Sequence, residues 1–158
     1  MLLLKLKNLP FETEIALRKV QHTVPPPPVE DMSRCEIALI SDGGLVPRGN
    51  PDRFRSRGNK LFAAYKTEDL LPGKEWSSRW EIAHTGYSNK EILADPTRLV
   101  PVDILKELEN EKRIGKLHPH FYSTSGNATL SEDCQRMGEQ IADQLKRSGV
   151  GGAILTSA

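Results

Sequence analysis

The chain has 158 residues, a hydrophobic share of 37% and a formal net charge of +1, which suits one domain with its own core. Charges of both signs are interspersed, so composition gives no footprint for nucleic acid or an anionic membrane. Cys35 and Cys134, with no CxxC and no His/Cys cluster at zinc spacing, speak against a disulfide framework or a zinc module and fit a reducing cytoplasm.

The opening "MLLLKLKNLP" is too short an apolar run for a secretory signal, and lysine interrupts it at once. No stretch approaches membrane-spanning length. Residues 1–33 read as an extended, proline-containing leader or linker, and residues 34–158 as an α/β domain. Within the leader, Pro25 to Pro28 favour a polyproline conformation. Such a run serves more often as a spacer than as a ligand for a proline-binding module.

Ile37 to Ile40 form a short apolar run closed by Asp42-Gly43-Gly44, the pattern of a buried strand. The stretch "LVPRGNPDRFRSRGNKLFAAY" is rich in Gly, Pro, Arg and Asn and reads as one long irregular loop. Trp80 to Ala83 suggest a second strand. "PVDILKELENEKRIG" predicts a helix, with Pro101 near its start, Gly115 after its end and Ile104, Leu105 and Leu108 on one face. "HFYSTSG" predicts a strand.

In "TLSEDCQRMGEQIADQLKRSG", Cys134, Met137, Gly138, Ile141, Ala142 and Leu145 recur at helical spacing. Thr129 and Glu132 fit a capping box, with Ser131 the rival N-cap, and Gly149 fits the C-terminal end. "GGAILTS" is the last predicted strand. The alternation of strands and helices predicts an α/β fold: a parallel sheet flanked by helices, with the extent of an incomplete doubly wound domain.

In such folds ligands bind beyond the carboxyl ends of the strands. The groups collected there are Asp42, Gly43 and Gly44; His84 and Tyr87; Ser123, Thr124, Ser125, Gly126 and Asn127; then Thr156, Ser157 and Ala158. "YSTSGNAT" would place hydroxyls and free N–H groups before a helix and suit a small carboxylate or phosphate. The same residue types also simply cap helices and shape turns.

Asp42 could bind a substrate ammonium or bond its own turn. "DGGLVPRGN" is not a dinucleotide fingerprint, because Pro47 interrupts the helix that should open there. His84 is the best acid–base candidate, since its ordinary pKa lies near neutrality, although strand-end histidines are more often structural. Tyr87 could line a pocket or merely pack. His118 and His120 would share a strand face, but no third metal ligand is in view. Neither cysteine stands out as a nucleophile. The loops thus form a pocket without a reactive centre.

"IALISDGGLVPRGNPDR", "DPTRLVPVDILKELENEKRIGKL", "FYSTSGN" and "AILTS", occurring in that order, resemble selenoprotein B, the substrate-binding component of glycine, sarcosine and betaine reductases. "PFETE" and the proline run match the same family's middle region. The selenocysteine subunit of D-proline reductase is a more distant likeness. The resemblance implies a selenocysteine, encoded by UGA, directly after Ala158 and followed by Gly-Thr-Cys. It also implies a further region before Met1. The chain given would then be an inactive fragment.

The implied chemistry is reductive cleavage of a C–N bond. A pyruvoyl group on a partner subunit activates the amine, and the selenolate attacks the α-carbon. Selenoprotein A and an acetyl-phosphate-forming component complete the system, with electrons from thioredoxin. One departure stands out: relatives show His-Gly-Gly-Tyr-Asp where this chain has His84-Thr85-Gly86-Tyr87-Ser88, which removes an acidic group. The rival expectations are a non-catalytic module that binds a small carboxylate or a partner reductase subunit, and a D-proline reductase-like subunit. A dinucleotide-binding domain comes last.

Overall fold

The computed structural model describes residues 2–10, 24–71 and 76–158. Phe11 to Glu14, most of the "PFETE" string, lie outside the described residues. Helix α1 (Leu2–Leu6) is exposed, and so are the four prolines.

The centre of the molecule is a four-stranded sheet in the order β3-β5-β1-β6. It comprises β1 (Glu36–Ser41), β3 (Phe62–Lys66), β5 (Lys116–Thr124) and β6 (Gly152–Thr156). Both β5 and β6 run parallel to β1, while β3 runs antiparallel to β5. The α/β class holds, with a mixed rather than purely parallel sheet.

β1 is central because both of its faces are covered, as an unbroken apolar run requires. Ala38 packs under α5 (Ser131–Arg147) with Tyr122, Ile141 and Leu145. Ile37 and Leu39 face the larger core, which contains Phe121, Trp80, Leu99 and Leu105. Leu105 comes from α4 (Val102–Asn110).

The long loop expected between residues 45 and 65 contains two strands. β2 (Leu45–Pro47) pairs antiparallel with β4 (Trp80–Ile82) in a separate two-stranded ribbon, with Pro47 opposite Trp80. The second expected strand therefore lies outside the main sheet. Two short helices, α2 (Trp76–Arg79) and α3 (Lys90–Ala94), flank it. Trp80 still reaches the core: its indole meets Tyr65 nearly edge-on at 5.6 Å and Phe121 at 5.7 Å.

Helix ends differ from expectation in instructive ways. α4 stops at Asn110, and Lys112, not glycine, takes the left-handed conformation beyond it. Gly115 serves a close approach instead: a Cβ there would lie 2.5 Å from the Arg34 carbonyl carbon. At the start of α5, Leu130 holds the cap position and makes no side-chain cap bond. Thr129 Oγ1 turns back to the carbonyl oxygens of Asn59 and Ser125, at 3.1 and 3.0 Å. The C-terminal end follows expectation, with Gly149 at φ +76° and Val150 N–H donating to Leu145 O.

His118 and His120 both lie on β5, where the ladder is irregular. Ile37 opposes Leu117, but Leu39 opposes Phe121, so the His118-Pro119-His120 segment bulges. His118 is buried, and its Nδ1 lies 2.7 Å from Glu36 Oε1. Among the described residues, no group of three or more His, Cys, Asp or Glu could hold a metal ion.

Candidate functional site

β1, β5 and β6 end together because they are parallel and in near register, with Ser41 beside Ser123 and Thr156. The residues that follow them are stitched by backbone bonds. Asp42 N–H donates to Thr156 O, Gly126 N–H to Asp42 O, and Gly44 N–H to Thr124 O. Gly43 forms an isolated bridge with Ser125. Gly44 has φ +74°, and a Cβ there would lie 2.6 Å from Ala83 O, so glycine is required.

A cleft of ≈ 370 Å³ opens at this edge between the strand ends and α5. Its polar border is Asp42, Thr124, Ser125, Gly126, Thr129, Thr156 and Ser157. Its apolar wall is Ile40, Met137, Ile141 and Leu155. Cys134, exposed, and Gly138 of α5 also line it.

One polar group in the cleft carries no counter-charge and another has no partner. The Asp42 carboxylate accepts a hydrogen bond from Ser157 Oγ at 3.1 Å, and no ion pair reaches it among the described residues. Ser125 is wholly buried, and its Oγ has no hydrogen-bond partner. Buried hydroxyls are normally satisfied, so this one is unusual.

The other sequence candidates form the layer behind the cleft. Ser123 Oγ donates to Leu45 O at 2.6 Å, tying β5 to the ribbon. Tyr87 O–H donates to Gly43 O at 2.7 Å. Its pKa is pushed up to about 12, first by burial and then by the negative charge of Asp42. His84 stacks obliquely on Tyr87 with ring centres 5.0 Å apart, and its Nδ1 is buried without a partner. Asn127 Nδ2 donates to Thr85 O and lies 2.8 Å from Thr85 Oγ1. Thr85 therefore makes a side-chain contact that a glycine there could not. Ala158 is exposed just beyond the cleft's last residue, Ser157.

Of the ten substrate-binding candidates, the structure puts Asp42, Thr124, Ser125 and Gly126 in the cleft. It places Gly43, Gly44, His84, Tyr87, Ser123 and Asn127 in its support. Missed from sequence were the apolar wall residues and Gly138. Their helical periodicity was legible, but a helix face reads the same whether it covers core or cleft.

The sequence profile of glycine/sarcosine/betaine reductase selenoprotein B matches residues 1–158. The chain belongs to the selenoprotein B family. Among its relatives is glycine reductase complex component B subunit gamma of Carboxydothermus hydrogenoformans, 41% identical over 99% of this chain and 36% of that protein. Betaine reductase complex component B subunit beta of Peptoclostridium acidaminophilum is 37% identical, again over 99% and 36%. D-proline reductase subunit gamma of Acetoanaerobium sticklandii is 26% identical over 85% of this chain and 55% of that one. This selenoprotein B-family chain thus spans just over a third of the length of the glycine, betaine and sarcosine relatives it matches. No solved structure matches it. No described helix is long and apolar enough to cross a membrane.

Proposed function

We propose that the chain forms the substrate-facing α/β part of a selenoprotein B subunit. The subunit would cleave the C–N bond of glycine or one of its N-methylated forms, with a selenocysteine directly after Ala158. One observation supports this reading: β6 brings Ser157 to hydrogen-bond distance of Asp42 at the cleft, which suits a reactive residue following close behind. A selenol is more acidic than a thiol and is ionised at neutral pH, which extends the logic of low-pKa cysteines. The selenolate forms a Se–C bond at the substrate's α-carbon, and the amine leaves with the C–N electron pair. The activating pyruvoyl group, selenoprotein A and the acetyl-phosphate-forming component are partners expected from the family resemblance. Higher identity to the glycine, betaine and sarcosine relatives favours that branch over D-proline reductase.

The test is to sequence the gene and transcript past the Ala158 codon. An in-frame UGA followed by Gly-Thr-Cys codons, with selenium incorporated on expression, is the expected result. A UAA or UAG at that position, or a UGA with no coding sequence beyond it, would remove the catalytic reading. A binding module built on Asp42 and the cleft would then remain.

A further inference from the structure

The geometry points to selection of an N-alkylated ammonium ligand over glycine, with the cationic head held between Asp42 and a cup in the α5 wall. This inference rests on the reading above only in taking the cleft as the substrate's place.

Charge comes first. Asp42 lies in a partly enclosed cleft, carries no ion pair among the described residues and accepts a single side-chain hydrogen bond. Its field reaches Tyr87, whose ionisation it opposes. A carboxylate with no counter-charge in such a site favours a cation and disfavours a lone anion.

Shape comes second. The cleft faces this carboxylate with Ile40, Met137, Ile141 and Leu155. A primary ammonium has N–H donors that seek acceptors. Aliphatic walls supply none, whereas the methyl groups of an alkylated ammonium pack on them. Glycine would leave most of a ≈ 370 Å³ cleft wet.

Gly138 is the third and sharpest observation. It sits inside the seventeen-residue helix α5, where glycine is a poorer helix former than alanine. Its neighbours do not require it: φ is not positive, and a Cβ would meet nothing within 4 Å. Yet Gly138 lines the cleft. A helix glycine with no structural need, opening onto a ligand-sized space, leaves room for the alkylated head.

The experiment is calorimetric titration of the 158-residue chain with glycine betaine, tetramethylammonium and glycine. Betaine and tetramethylammonium are expected to bind at least tenfold tighter than glycine. D42N should weaken both by tenfold or more. G138A should raise the melting temperature, as a better helix former, while weakening both cations.

Equal or tighter binding of glycine would overturn the inference. So would unchanged affinity in D42N, or a G138A chain that is more stable and binds as before. Failure to bind any of the three also counts against it. Tetramethylammonium is no reductase substrate, so its binding through Asp42 would sustain the inference even if sequencing removed the selenocysteine. A selenocysteine frame with glycine preference would do the reverse.

Discussion

Asp42 and Gly126 are packed so closely that a Cβ on residue 126 would sit 2.7 Å from Asp42 Oδ2 and 3.1 Å from Asp42 Cβ. The whole Asp42 side chain is in the way, so a terminal rotation cannot relieve the contact. Gly126 N–H also donates to Asp42 O at 2.8 Å, which fixes the two backbones. G126A is therefore expected to displace the carboxylate and cost about 1–3 kcal/mol, the usual range for overpacking. Urea denaturation measures the cost. Loss of cation binding beyond that of D42N would show that the strand edge itself had moved.

Tyr87 makes the edge sensitive to alkali. Its pKa is raised from 10.0 to about 12, by burial and then by Asp42. Between those values the unfolded chain has lost the phenolic proton while the folded chain retains it. Its contribution to stability is thus fully present below pH 10 and is lost as pH rises through about 12. Tyr65, raised by burial and by its bond to Asp52, adds in the same direction. Phenolate absorbance during alkaline titration should show both tyrosines titrating late. Y87F should flatten part of the alkaline loss, and an unchanged profile would contradict the assignment.

The same residue separates what sequence could reveal from what it could not. The alternation of strands and helices predicted Tyr87 near Asp42 at the end of a parallel strand, but the structure brings them together through the antiparallel ribbon instead. That its hydroxyl supports Gly43 rather than lining the cleft depends on β4 leaving the main sheet. Nothing in "RWEIAHTGY" announces that. β2 and β4 share only three ladder pairs, too few for a period to register. β3 is a half-exposed edge strand whose apolar residues are flanked by Gly, Asn and Arg, so loop chemistry masks it. β1 and α5 were legible because one is an unbroken apolar run closed by glycines and the other a long helical period. Ser123 and Ser125 look alike in sequence, yet one braces the ribbon and the other opens on the cleft.

The aromatic cluster under the ribbon should dominate stability. Trp80 and Phe121 are 3% and 0% exposed, and Tyr65 contacts both. It ties the two-stranded ribbon to the sheet through apolar contact. W80A is expected to cost about 3–5 kcal/mol, the range for emptying a core of a large aromatic. Chemical denaturation would measure it. A loss under about 1 kcal/mol would mean the ribbon is held by Gly44, Ser123 and the loop bonds instead.

The free side of β6 makes a prediction about the isolated chain. Among the described strands β6 pairs with β1 alone and stands at the sheet edge. Leu155 is 76% exposed on the α5 side, and Ile154 is 39% exposed on the other. An edge with unpaired backbone groups and apolar side chains on both faces is a template for another strand, and no Lys, Pro or bulge blunts it within Gly152–Thr156. The chain is therefore expected to self-associate as its concentration rises. Sedimentation velocity would show this as a concentration-dependent shift to larger species. L155K should reduce the shift, because a lysine on an edge opposes pairing while its stem still covers apolar surface. A clean monomer with a sharp, concentration-independent melt would refute the prediction, and would mean that α5 and the strand-end stitching protect the edge without help.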